Sequence, residues 1–147
     1  MPATECYLDT SALIKLYVAE PFSDEVEQFL GGIDQPTVSS LTVLEWHCAM
    51  LRRHRAGHFP KRYLTAARKE FARHRAEGYF RLCALNDTLF TQAMGLLDET
   101  NPIPLRSLDA MHLAAARSLG KPAFATADKV LADAAKKIGL PVVRFFK

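Results

Sequence analysis

No CxxC pair occurs in these 147 residues, and the three cysteines, Cys6, Cys48 and Cys83, are widely spaced and odd in number. That argues against a disulfide framework and predicts buried structural thiols in a reducing cytosol. No apolar run approaches the roughly 18 residues a membrane span needs, so no membrane association is expected. The opening MPATECYLDT lacks the basic-then-apolar layout of a secretory leader, and a cytoplasmic protein is expected. A P-loop and a GxSxG elbow are both missing, which removes the usual nucleotide cradle and serine nucleophile. His54 and His58 are four apart, but Gly57 lies between them in a cationic stretch, which is poor zinc-site chemistry. There is no repeat, low-complexity tract or linker, so residues 1–147 are expected to form a single domain.

What is present is 49% apolar, enough for a real core. Net charge is only +3, yet it is unevenly placed. From Arg52 to Arg81 there are ten Lys/Arg against two acids, Glu70 and Glu77, while the rest carries nine bases against fourteen acids. A basic arm on an acidic body points to a polyanionic partner, commonly nucleic acid, or to a solvated helical hairpin.

Strands and helices alternate along the chain. Thr4 to Leu8, PTVSS, YFRLCAL, PAFAT and PVVRFF read as strands. Helices are predicted from Ser11 to Tyr17, in SDEVEQFL, from Leu41 to Arg55, after Pro60 to Gly78, in NDTLFTQAMGLLDET, in LRSLDAMHLAAARSLG and in DKVLADAAKKIG. Leu41, Leu44, Cys48 and Leu51 form the expected inward stripe of the third helix, and Leu108, Met111, Ala115 and Leu119 that of the sixth. The pattern predicts an α/β fold, a three-layer α/β/α sandwich around a parallel sheet.

Open parallel sheets bind ligands outside the carboxyl ends of their strands. Asp9 directly follows the first strand, Asp128 follows the fourth, Glu45 lies early in the helix after TVSS, and Asp109 opens the helix after NPIP. Alone, Asp9 reads equally well as a cap, Asp109 and Asp128 as first-turn acids, and Glu45 as an exposed helical residue. Their common rim is not explained that way. Two like charges ~4 Å apart cost about 4 kcal/mol at an effective dielectric of ~20. One or two Mg²⁺ or Mn²⁺ ions, which take oxygen ligands, would offset this. An all-oxygen metal site beside a basic arm points to phosphate chemistry by metal-activated water. Thr126, Ser11 and Ser40 lie near the same rim, and His112 shares the helical face of Asp109, where it suits holding a carboxylate better than catalysis.

These segments resemble the PIN-domain family, most closely the VapC-type toxins of bacterial toxin–antitoxin pairs. YLDTSALIKLY resembles its opening strand, acid and helix. SSLTVLEWHCAMLRR carries Glu45 with Ala49 four later, LRSLDAMHLAAARSLG carries Asp109 and His112, and AFATADKVLADAAKKIGL carries Thr126 and Asp128. The resemblance implies a Mg²⁺- or Mn²⁺-dependent endoribonuclease with Asp9, Glu45, Asp109 and Asp128 as its acidic quartet. It also implies a homodimer, for which Tyr17 and Phe22 are apolar positions that read equally as interface or as ordinary core, and an antitoxin that covers the site. The middle of the chain carries no family motif. RNA binding by Arg52, Arg53, Arg55, Lys61, Arg62, Arg68, Lys69 and Arg73, within a basic hairpin at about residues 52–81, therefore rests on charge alone. A structure-specific DNA nuclease and a non-catalytic RNA-binding module are the alternatives.

Overall fold

The structure, a computed structural model, describes residues 5–147. Five parallel strands make one sheet in the order β3-β2-β1-β4-β5. They are β1 (Cys6–Leu8), β2 (Thr37–Ser39), β3 (Arg81–Cys83), β4 (Ala123–Thr126) and β5 (Val142–Arg144). The helices are α1 (Thr10–Leu13), continued by a 3₁₀ turn at Ile14–Leu16, α2 (Ser23–Leu30), α3 (Ser40–Arg55), α4 (Lys61–Ala76), α5 (Asp87–Thr100), α6 (Ser107–Arg117) and α7 (Lys129–Lys137). The alternation expected from the sequence is therefore observed. The expected start of the first strand, Thr4, lies outside the described residues.

Successive strand residues point to opposite faces, and this sorts the helices into layers. Cys6 and Leu8 of β1 and Ala125 of β4 join a core with Leu13, Val26, Trp46, Met50, Leu64 and Phe71, drawn from α1 to α4. Tyr7 and Phe124 face the other way, onto α5, α6 and α7. The first layer is centred on aromatic rings. Trp46 and Phe71 have centroids 4.4 Å apart, and Tyr17 meets both edge-on at 5.2 and 5.3 Å. Burying each such ring contributes roughly 1.5–3 kcal/mol. In the second layer Ala114, Ala115 and Ala116 are buried, and small side chains let α6 lie close to its neighbours.

Helix ends follow local chemistry. Ser39 caps α3 by accepting from the Thr42 N–H, and Thr42 Oγ1 accepts in return from the Ser39 N–H. Asn86 caps α5. At the far end of α7, Gly139 takes φ +89°, a conformation that glycine adopts without a Cβ clash.

Several sequence expectations are corrected. On α3 the buried residues are Leu41, Thr42, Trp46, Ala49 and Met50, whereas Leu44 is 67% exposed and Cys48 is also exposed. Trp46, the largest side chain, docks on the aromatic cluster and turns Leu44 and Cys48 toward solvent, while Leu41 stays buried and Leu51 packs partly buried against the core. Leu108, in the first turn of α6 at the sheet's rim, is 49% exposed rather than inward. Of the three thiols only Cys6 is buried. Of the two readings of Tyr17 and Phe22, interface or core, the core one is observed: Tyr17 is buried among the rings and Phe22 packs partly buried against the same cluster.

The strand order places the site. From β1 the chain runs outward through β2 to β3, then returns to β4 and β5 on the other side. The crevice of such a sheet opens where that direction reverses, at the carboxyl ends of β1 and β4.

Candidate active site

Asp9 is the residue after β1, and its N–H donates to the Ala125 carbonyl, which continues the ladder to β4. The side chain is only 2% exposed. Its Oδ1 accepts from the Ala12 N–H (2.9 Å) and the Ser11 hydroxyl (2.7 Å), and Oδ2 accepts from the Thr126 hydroxyl (2.5 Å). Asp9 thus caps α1. Burial pushes the Asp9 carboxyl above the ordinary carboxylate range, and the pull of His112 and the three donors does not reverse it.

The neighbouring strand supplies the second acid. Thr126 ends β4, and its hydroxyl accepts from the Asp128 N–H at 3.0 Å. Asp128 caps α7, with Oδ1 accepting from the Leu131 N–H at 3.1 Å. The Ser11 hydroxyl oxygen also accepts from the Ala127 N–H at 2.8 Å, which ties α1 to the loop after β4.

Glu45 enters from α3. Its Oε1 accepts from the Thr10 hydroxyl (2.6 Å) and from His112 Nε2 (2.5 Å). A carboxylate only accepts, so Nε2 is the donor. His112 Nδ1 lies 2.7 Å from the hydroxyl of Tyr7, which is fully buried and donates to Ser39 Oγ at 2.9 Å. Burial pushes Glu45 upward, but the hydrogen bond and charge of His112, with help from Thr10 and Arg106, hold its carboxyl below the usual range.

Asp109, the third residue of α6, is buried. Its Oδ2 accepts from the Arg106 N–H (3.4 Å) and Nε (3.3 Å). Arg106 is otherwise exposed at the lip.

All four acids line one cleft of about 440 Å³, together with Thr10, Ser11, His112 and the basic side chains Arg52, Arg53 and Arg106. Ser40 does not join them: it is exposed, and the neighbouring Ser39 does the capping. Among the expected RNA-binding residues, Arg52 and Arg53 reach the cleft, and Arg53 is braced by Glu20 at 3.1 Å. Arg55, Lys61, Arg62 and Lys69 are exposed on α3 and α4, and Arg68 is half-buried. Arg73 is ion-paired with Glu70 and with Glu77. Sequence reasoning missed Tyr7 and Arg106. The i, i+3 spacing of Arg106 and Asp109 at a helix start was an available signal for the latter.

A hard divalent cation fits the donors: four carboxylates and two hydroxyls outnumber the one thiol on the cleft wall, Cys48. Glu45, Asp109 and Asp128 each use one oxygen for a chain donor, and the other accepts nothing from the described residues. Among the described residues no three His, Cys, Asp or Glu side chains converge closely enough to hold a metal ion. The chemistry of the set therefore fits, while the carboxylates stand apart, each held by its own chain donors. Among the same residues, no helix is long and apolar enough to cross a membrane.

Residues 6–137 match the PIN domain family. The chain is 35% identical over 139 residues to Ribonuclease VapC46 of Mycobacterium tuberculosis, covering 93% of this chain and 95% of that one. Among solved structures, it resembles Mycobacterium tuberculosis VapC20, described as a Sarcin-Ricin loop cleaving toxin (TM-score 0.71, 20% identity, 95% of this chain and 98% of that chain). It also resembles a toxin-antitoxin complex from Klebsiella pneumoniae (TM-score 0.60, 21% identity, 94% and 95%). With its sheet order, its cleft at the strand ends and this match over most of its length, the chain belongs to the PIN domain family.

Proposed function

We propose that this chain is an endoribonuclease, the toxin of a toxin–antitoxin pair, which hydrolyses RNA phosphodiester bonds with a Mg²⁺ or Mn²⁺ ion held by Asp9, Glu45, Asp109 and Asp128. The observation that carries this is the meeting of four acids and three arginines in one cleft at the strand switch. Kinship with Ribonuclease VapC46 supports RNA as the substrate class.

One or two such ions, when bound, would supply an activated water and neutralise charge on the phosphate. The chain's own groups do the rest. Asp9 is immobilised by three donors and sets the floor of the cleft. Thr126 and Ser11 orient it. His112 and Thr10 fix one oxygen of Glu45 and leave the other toward the cleft. Arg106 does the same for Asp109. Arg52 and Arg53 supply positive charge beside the acids, where a phosphate would lie. The reading extends to two partners, a cognate antitoxin and a second copy of the chain, which co-purification and light scattering would test.

The deciding experiment is cleavage of matched RNA and DNA oligonucleotides by the purified chain with Mg²⁺ or Mn²⁺, against EDTA and an Asp9→Asn variant. RNA cleavage that needs both the metal and Asp9 is expected. Equal behaviour of wild type and variant would refute the assignment, and preferential DNA cleavage would move it to a DNA nuclease.

A further inference from the structure

On α4, the basic side chains are not equivalent. Arg73 is taken up by Glu70 and Glu77. Arg68 and Arg75 are half-buried, and among the described residues neither joins an ion pair. The Nε of each is enclosed without a hydrogen-bond partner, whereas their terminal nitrogens are not enclosed. Seven residues separate them, so they share one face of the helix about 10 Å apart. Arg75 lies over the Phe71 ring, with Cζ 4.6 Å from the centroid. The His47 ring, from α3, sits 6.4 Å from that same ring. His47 and Arg75 therefore flank the same ring, Phe71, which joins α3 to this face of α4.

We propose that Arg68 and Arg75, with His47 beside them, form a phosphate-binding notch for the RNA backbone, separate from the carboxylate cleft. This rests on the ribonuclease reading given above. Guanidinium groups match phosphate oxygens in a planar fork, and these two have stems already packed, so less side-chain freedom is lost on binding. Two uncompensated cations a fixed distance apart suit the repeated charges of a polyanion better than a lone carboxylate. Position agrees: α3 forms one wall of the cleft through Glu45, Cys48 and Arg52, and His47 lies on another side of the same helix. A strand seated in the cleft would cross about one helix diameter, ~10 Å, to reach the notch. The exposed Leu44 and Cys48 line that path.

The test is binding, in the Asp9→Asn background, of a labelled single-stranded RNA of roughly 20 nucleotides, followed by anisotropy from roughly 50 to 200 mM salt. Replacing both arginines, Arg68→Gln with Arg75→Gln, keeps the stems and removes the charges. The salt slope should fall by about 1.4, two contacts at ~0.7 each for a single strand. Arg68→Lys with Arg75→Lys should restore it. A matched loss of two charges elsewhere, Lys121→Gln with Lys136→Gln, should not lower it. An unchanged slope in the Gln pair, or an equal fall in the lysine control, overturns the notch. Should the Gln pair fail to fold by circular dichroism, Arg68→Gln alone must lower the slope by about 0.7. Cleavage assays are separate from this readout. A chain that cuts RNA with an unchanged slope loses the notch and keeps the ribonuclease, and one that cuts nothing with a reduced slope keeps the notch.

Discussion

Tyr7→Phe isolates the hydrogen-bond chain beneath the cleft. The substitution removes one hydroxyl and leaves the ring, which stacks on Phe124 at 5.6 Å, so no cavity opens. Ser39 Oγ loses a donor but keeps Thr42, with N–H at 3.3 Å and Oγ1 at 3.2 Å. Among the described residues His112 Nδ1 keeps nothing, because its one hydrogen-bond partner there is the Tyr7 oxygen. One buried polar group left without a partner costs about 2 kcal/mol. For a chain of this length that is about 6 °C in Tm. Function should suffer through Glu45, since the His112 ring that holds it is no longer fixed. Loss of such outer support typically costs about 10–100-fold in activity. RNA affinity should be unaltered, because no charge or exposed surface changes. Thermal melting, single-turnover cleavage and RNA binding on one preparation decide it. A Tm within about 2 °C of wild type, together with unaltered cleavage, would refute a working link from Tyr7 to Glu45.

Further outcomes are expected elsewhere. Burial raises the folded-state pKa of Asp9 above its unfolded value, so the proton stabilises the metal-free fold at low pH, and that gain is lost as pH rises through the folded pKa. Asp9→Asn, stripped of metal with EDTA, should therefore melt above wild type at neutral pH, with the gap closing on acidification, as calorimetry would show. Cys48 is exposed on the cleft wall, whereas burial pushes the Cys6 thiol up to about 12. A maleimide probe should label Cys48 and spare Cys6 in the folded protein, and labelling should block cleavage; peptide mass mapping checks the site. Phe71→Ala removes the ring shared by Trp46, Tyr17 and Arg75 and should cost about 3–5 kcal/mol, measurable by urea unfolding.

The parallel sheet was legible because short strand-forming runs alternate with helical segments, and β1, β2 and β4 lead into the cap residues Asp9, Ser39 and Asp128. The four acids were legible because three of them follow strands or start helices in register with that punctuation. What escaped was settled by distant partners. The apolar stripe Leu41, Leu44, Cys48 and Leu51 has good helical spacing, but spacing alone does not say which of two faces a helix buries. Trp46 meets Phe71 from α4, 25 residues away in sequence, and that contact fixed the face. Tyr7 looked like one more strand residue. Its role depends on His112, 105 residues later, and no local pattern encodes such a pairing. Ser40 and Ser39 are adjacent hydroxyls, and only the backbone at the start of α3 decides which one caps.

The same helix explains why stability and site geometry are coupled here. Successive residues on α3 are about 100° apart, so Trp46 and Glu45 face adjacent directions. Trp46 locks into the ring cluster, and Glu45 then has no choice but the cleft, where Thr10 and His112 receive it. A rotation of one residue would bring Leu44 to the acids and Glu45 into the core. The apolar cluster on one side of the sheet and the Tyr7–His112 chain on the other thus hold the same carboxylate from two directions. The buried polar groups Asp9, Ser39, Thr42, His112 and Thr126 collect under the cleft, where desolvation works against folding. The aromatic packing beneath α3 and α4 offsets that cost without touching the cleft. Each carboxylate is consequently held by the chain before any cation arrives, and three of them keep an oxygen to spare.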